Sequence, residues 1–120
     1  MLRPIPSKIL THSATLKICT GVDDWQSPTF RTIPLSHICI QNEFKTVKTR
    51  EDTEVRTTGI LFHDARLSSP SLDFDALQRE SEANGHPLRV VFGNTDHIVL
   101  TVDSVIDDEG KLHHTELTLD

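Results

Sequence analysis

The densest group of chemistry-bearing side chains is His113-His114-Thr115-Glu116, two imidazoles and a carboxylate within four residues. That donor set suits a zinc ion or an acid–base pair. On a regular strand successive side chains alternate, so His114 and Glu116 share one face and His113 points to the other. At most two of the three then meet one ion, whereas zinc needs three or four ligands in tetrahedral geometry. The other five of the seven histidines, His12, His37, His63, His86 and His97, stand at no recognised ligand spacing. A small metal-binding protein or metal-dependent hydrolase, using His114, Glu116 and a histidine from another strand, is therefore an alternative reading. The leading one is a histidine pair hydrogen-bonded to neighbouring strands at an edge or interface.

Nucleophilic chemistry has equally thin support. Cys39 has His37 two residues away on the same strand face, but no glycine-framed elbow or oxyanion-hole pattern accompanies it or Cys19. Asp64 and the acidic turn at Asp107, Asp108 and Glu109 invite comparison with a carboxylate pair or a calcium loop. The turn lacks the spaced Asp/Asn ligands, central Gly and terminal Glu of an EF-hand, so it reads as a solvated hairpin tip. The five glycines are scattered and form no phosphate-cradling loop. The expectation is a protein without enzymatic activity and without a cofactor.

Charge is distributed unevenly. The formal net charge is −6, and residues 1–95 are balanced, so the whole excess falls in residues 96–120, where seven acids face Lys111 alone. Phosphate-backbone binding depends on clustered Lys and Arg releasing counterions, so sequence-specific nucleic-acid recognition is not expected. No apolar run approaches the ~20 residues of a membrane span, and the N-terminal residues have no signal-peptide core. A soluble, cytoplasmic protein with no membrane partner is expected. Cys19 and Cys39 read as reduced, half-buried strand residues, with no disulfide framework.

The 120 residues are the length of one domain. Leu, Ile, Val and Phe supply 35 of them, enough for a folded core, and Thr, Val and Ile outnumber Ala by 31 to four. Branched side chains favour strands, so the fold class is mostly β: a small antiparallel β-barrel or sandwich with one short helix and a long protruding hairpin. Residues 8–20 alternate, with Leu10, Ala14, Leu16 and Ile18 inward, and residues 21–28 form a loop whose one large apolar group is Trp25. From Leu35 a second strand carries Ile38, Ile40 and Phe44 on one face. Residues 63–71 are an irregular connection. A helix spans residues 72–84, opened by Ser71 or Asp73 and stopped by Asn84-Gly85. A short strand at 88–92 and a turn at Gly93-Asn94 lead to a final hairpin, 97–106 against 111–119, with Ile98, Leu100, Val102, Ile106, Leu117 and Leu119 inward.

The hairpin at residues 43–60, turning near Arg50, Glu51 and Asp52, is least explained by a monomer. Its distal part, residues 45–56, has almost no apolar face, and an isolated two-stranded hairpin is marginal in water. Lys45, Lys48, Arg50, Glu51, Asp52, Glu54 and Arg56 are therefore candidate interface residues, gripping another copy or a neighbouring protein. A generic β-sheet module that binds by strand addition is a further alternative.

Three stretches, taken in order, resemble the small minor capsid or head–tail connector proteins of tailed phages and prophages. RPIPSKILTHSATL (residues 3–16) is similar to that family's Ile-Pro-Lys-x-Leu-Leu-x-His opening. GILFHDARLSSP (59–70) is similar to its Leu-Phe-x-Asp-x-x-x-Ser-x-Pro stretch, and VDSVIDDEGKLHHTELTL (102–119) to its closing hairpin ending in His-His-aromatic-Glu-x-x-Leu. Position 115 is Thr where the family often has an aromatic. The resemblance implies a structural virion component of β-barrel type that self-associates into a ring. Such a stopper or head-completion subunit contacts the portal or adaptor and the tail proteins, completes the head and retains packaged DNA. It would reside in the host cytoplasm during assembly and then at the virion head–tail junction. In such a ring the acidic residues Asp103, Asp107, Asp108 and Glu109 are candidates to face the lumen, where like charge keeps DNA from sticking.

Overall fold

A computed structural model describes residues 7–42, 46–48 and 54–120. Its strands are β1 (His12–Val22), β2 (Pro28–Asn42), β3 (Thr46–Lys48), β4 (Glu54–Arg56), β5 (Gly59–Asp64), β6 (Arg89–Phe92), β7 (Thr95–Ile106) and β8 (Leu112–Leu119), with one helix, α1 (Phe74–Ala83), between β5 and β6. Six strands close into a barrel in the order β1-β2-β5-β8-β7-β6, every neighbouring pair antiparallel. Among the described residues β3 and β4 pair with each other alone, as a separate two-stranded sheet. The mostly β, single-helix architecture expected from composition is the one observed.

Alternation in β1 places Ala14, Leu16 and Ile18 in the barrel, where they meet Leu35 and Ile38 of β2, Leu61 of β5, Val90 of β6, Val99 of β7 and Leu117 and Leu119 of β8. Phe74 at the start of α1 joins this core at 1% exposure. Burying each such side chain stabilises the fold by roughly 1.5–3 kcal/mol. The helix is N-capped by Asp73, whose Oδ1 accepts the Ala76 N–H, and its range, Phe74–Ala83, lies two residues inside the expected start and one inside the expected end.

Several boundaries differ from expectation. Residues 7–9 form a 3-10 turn and β1 begins only at His12. β2 starts at Pro28, seven residues before Leu35: its first half pairs with β1 and its second with β5, so one side of the first half is free of ladder bonds and tolerates Pro28 and Pro34. The connection after Phe62 is shorter than 63–71, because His63 and Asp64 continue β5. Phe44 lies outside the described residues.

The ladders shift register at Thr20, His37, Leu100 and His113, and the shifts at His37 and Leu100 reset which side chains of β2 and β7 face inward. His37, at φ 57°, is the extra residue where β1 and β2 shift register, so Ile38 turns into the core and Cys39 to the other face, while His37 is exposed. The expected sharing of a face by His37 and Cys39 is thereby broken. Leu100 is the extra residue opposite Leu119 and Thr118, so Val99 is the buried residue of β7 and Val102 packs on the core. Ile98 and Leu100, expected inward, are only half-buried and Ile106 is 58% exposed. Cys19 and Cys39 are both free and buried rather than half-buried, at 0% and 6% exposure.

The barrel closes through β6, which is too short for its neighbours. β6 pairs with Thr15–Lys17 alone on β1, leaving the peptide groups of Cys19 beyond its reach. Polar side chains of α1 and its C-cap meet them instead: Ser81 Oγ accepts the Cys19 N–H at 2.9 Å and Asn84 Nδ2 donates to the Cys19 carbonyl at 2.9 Å. Gln78 bridges the other side of the gap, accepting the Leu88 N–H at 2.8 Å and donating to the Val99 carbonyl at 3.3 Å. Gln78 and Ser81 are buried at 6% and 0% exposure, so truncation strands buried backbone groups at about 1–3 kcal/mol each. Gln78→Leu and Ser81→Ala are expected to lower unfolding free energy by that amount in urea titrations. Arg79→Ala, on the exposed side of the same helix, should change it by less than about 0.5 kcal/mol.

Candidate functional site

Of the candidate interface residues, Lys48 and Arg56 fall on β3 and β4 and Glu54, which is exposed, opens β4. Lys45, Arg50, Glu51 and Asp52 lie outside the described residues. The ladder sets Thr46 opposite Arg56, Val47 opposite Val55 and Lys48 opposite Glu54. This hairpin leaves the barrel where β2 and β5 end their ladder at Asn42 and Gly59. Gly59 fits that exit because a Cβ there would stand 3.0 Å from the Gln41 carbonyl oxygen.

The acidic residues of the last hairpin are brought together at and near its tip. Asp108 and Glu109 are exposed in the turn and Asp103 is exposed on β7, opposite Glu116. Asp107 is half-buried and builds the turn: its Oδ1 accepts the Glu109 N–H at 2.9 Å and the Lys111 N–H at 3.0 Å. Glu109 pairs with Lys111 at 3.8 Å, an exposed contact of little energetic weight.

The histidine cluster departs from strand geometry. His113 is the extra residue where β8 shifts register against β7, between the pairs Val105 with His114 and Ile106 with Leu112. The bulge cancels the expected alternation and brings the two imidazoles together edge to face, Nδ1 to Nδ1 at 2.8 Å. His114 Nε2 lies 3.4 Å from Glu116 Oε2. The chain Glu116–His114–His113 is thus continuous, contrary to the expectation that His113 points away. The 2.8 Å separation is that of an N–H···N hydrogen bond holding one proton between two rings. Among the described residues no three His, Cys, Asp or Glu side chains are grouped to hold a metal.

His114 also lines a groove of about 170 Å³ with Ile9, Cys39, Gln41 and Phe62, on the barrel's outer face across β2, β5 and β8. The Phe62 and His114 ring centroids are 6.0 Å apart. Sequence patterning set Cys39 on the face opposite Ile38 and Ile40 but did not reveal this groove, because its other walls, Ile9, Phe62 and His114, come from separate elements that only the folded barrel brings together.

Asp64 has a structural task. Its Oδ1 accepts the Arg66 and Leu67 N–H groups at 2.7 and 3.0 Å, and its own N–H donates to Ser68 Oγ at 2.8 Å. Ser68 Oγ in turn donates to the His37 carbonyl, fastening the bulge to the end of β5. Beside it His63 is 3% exposed, edge-on to Phe74 at 4.8 Å, with Nε2 2.9 Å from the Pro70 carbonyl.

No protein-family model matches this chain, and no curated protein matches it. Among the described residues no helix is long and apolar enough to cross a membrane.

Burial lowers the His63 pKa below its ordinary value of 6.5, opposed by the hydrogen bond to Pro70, by one to its own backbone and by the Asp64 charge. The native state therefore keeps His63 neutral where the unfolded chain already binds a proton. Stability contributed by this group is complete above pH ~6.5 and is lost as pH falls through the lower, folded value, by up to about 1.4 kcal/mol per pH unit. Urea unfolding between pH 7.5 and pH 5 is expected to show this loss, and His63→Leu to remove that component; an unchanged slope in the variant would contradict it.

Proposed function

We propose that this chain is a non-enzymatic connector subunit of a tailed phage or prophage, one that assembles into a ring at the head–tail junction. There it would complete the head, retain packaged DNA and dock the tail. The observation that carries this reading is the β3–β4 hairpin, whose strands among the described residues pair with each other and stand as a sheet separate from the closed six-strand barrel. A short two-stranded sheet gains stability by packing on something else, and a neighbouring copy or the portal supplies that surface. The ordered resemblance of residues 3–16, 59–70 and 102–119 to phage connector proteins supports the same reading.

The acidic tip of the β7–β8 hairpin fits a ring lumen through which DNA leaves. Asp103, Asp108 and Glu109 are exposed, and Lys111 is the one Lys or Arg of residues 96–120. Phosphates would be repelled from such a wall rather than held by it.

Deleting residues 47–54 tests the assignment of the hairpin. The expected product is a folded barrel with an unchanged urea midpoint that no longer assembles and cannot complete particles of the parent phage. Infectious particles built with the deleted protein would remove the hairpin's role. A reconstruction of the particle neck without this protein would remove the connector reading itself.

A further inference from the structure

Trp25 is the only tryptophan of the chain and it is 86% exposed. A built turn holds it there: Asp23 Oδ1 accepts the Trp25 N–H at 2.9 Å and the Ser27 N–H at 3.0 Å, and the Asp23 N–H donates to the Ser27 carbonyl at 2.9 Å. Gln26 takes a left-handed conformation, φ 64°, to close the loop. Val22, beside it at the end of β1, is 51% exposed. An exposed indole on a hydrogen-bonded turn is a residue type that often anchors protein interfaces, because it covers a large area at small entropic cost.

The groove lined by Ile9, Cys39, Gln41, Phe62 and His114 has the complementary form. At about 170 Å³ it is of the size that admits a single aromatic ring. The two features lie toward opposite ends of β2: from Pro28, next to the Trp25 loop, to Cys39 is about 35 Å along a strand, in a molecule whose long axis is 48 Å. Trp25 therefore has no access to the groove of its own chain. Charge bears on a contact between copies: Asp23 and Asp24 precede the indole, the exposed Lys8 adjoins Ile9 at the groove, and the carboxylate at the groove's other side, Glu116, is paired with His114 at 3.4 Å.

We propose that Trp25 of one copy seats in the groove between Ile9 and Phe62 of the next. Knob and hole are different surfaces, so the contact is head-to-tail and propagates into a ring or filament instead of stopping at a symmetric pair. The proposal rests on the reading of this chain as an assembling subunit, and names a contact through which neighbours meet.

The lone tryptophan reports its own burial. In the full-length protein, sedimentation velocity and tryptophan emission are followed together from micromolar to millimolar concentration. Emission is expected to start at the red limit of an exposed indole and to shift to the blue in step with association. Trp25→Ala should weaken association by about tenfold or more. Ile9→Glu, which sets an acid against Asp23 and Asp24, should weaken it similarly and keep the emission red. Both sites are exposed, and circular dichroism checks that the variants fold. A mixture of the two variants retains one intact knob and one intact groove, so it should form pairs and stop there. A protein that stays monomeric with unmoved emission throughout the range overturns the proposal, as does a mixture that polymerises. Assembly with Trp25 still red, and unaffected by Trp25→Ala, also overturns it while leaving the connector reading in place, which the hairpin deletion tests separately in particles.

Discussion

Between β1 and β7 the short strand β6 ends before its neighbours do, and the backbone groups it leaves at Cys19, Leu88 and Val99 are met by Gln78, Ser81 and Asn84. Four side-chain atoms thus stand where a longer strand would have put peptide groups. At about 1–3 kcal/mol for each buried group left unpaired, the set is comparable with the ~5–15 kcal/mol by which a domain is stable at all. Ser81 carries a second duty, donating to the His86 carbonyl at 2.6 Å and so fixing the chain that leaves the helix toward β6. The position of α1, the insertion of Phe74 into the core and the closure of the barrel are one constraint.

That constraint sets the composition of the helix's buried face. This face includes Phe74, Gln78 and Ser81, and two of those three are polar because they face backbone rather than an apolar core. Elsewhere, alternation was a sound guide wherever the ladder was regular. Ala14, Leu16 and Ile18 of β1 and Leu117 and Leu119 of β8 face the core as their spacing implies. It failed at His37, Leu100 and His113, each an extra residue in one strand, because a bulge shifts a period-two pattern by one and leaves no consistent mark in composition. The histidine cluster was visible as a motif, but its geometry was not, since the contact between His113 and His114 exists only by virtue of the bulge.

The same separation between a self-sufficient body and its appendages organises the functional reading. The barrel and its helix together satisfy the ladder, whereas the β3–β4 hairpin, the Trp25 loop and the acidic β7–β8 tip are exposed or set apart from it. Apolar, mixed-charge and acidic surfaces are thereby carried by three different connections of one rigid frame. A subunit with separate surfaces for neighbours and for a charged lumen needs such a division, because each can then be tuned without disturbing the core.

Native-state hydrogen exchange of the full-length chain tests most directly whether α1 completes the barrel. The amides of Cys19 and Leu88 donate to side chains rather than to a strand, yet the closure described here requires them to exchange as slowly as the core ladder amides of Leu16 and Leu61. Exchange of Cys19 and Leu88 orders of magnitude faster than those two, under conditions where the protein is folded, would mean that the helix merely covers an open sheet.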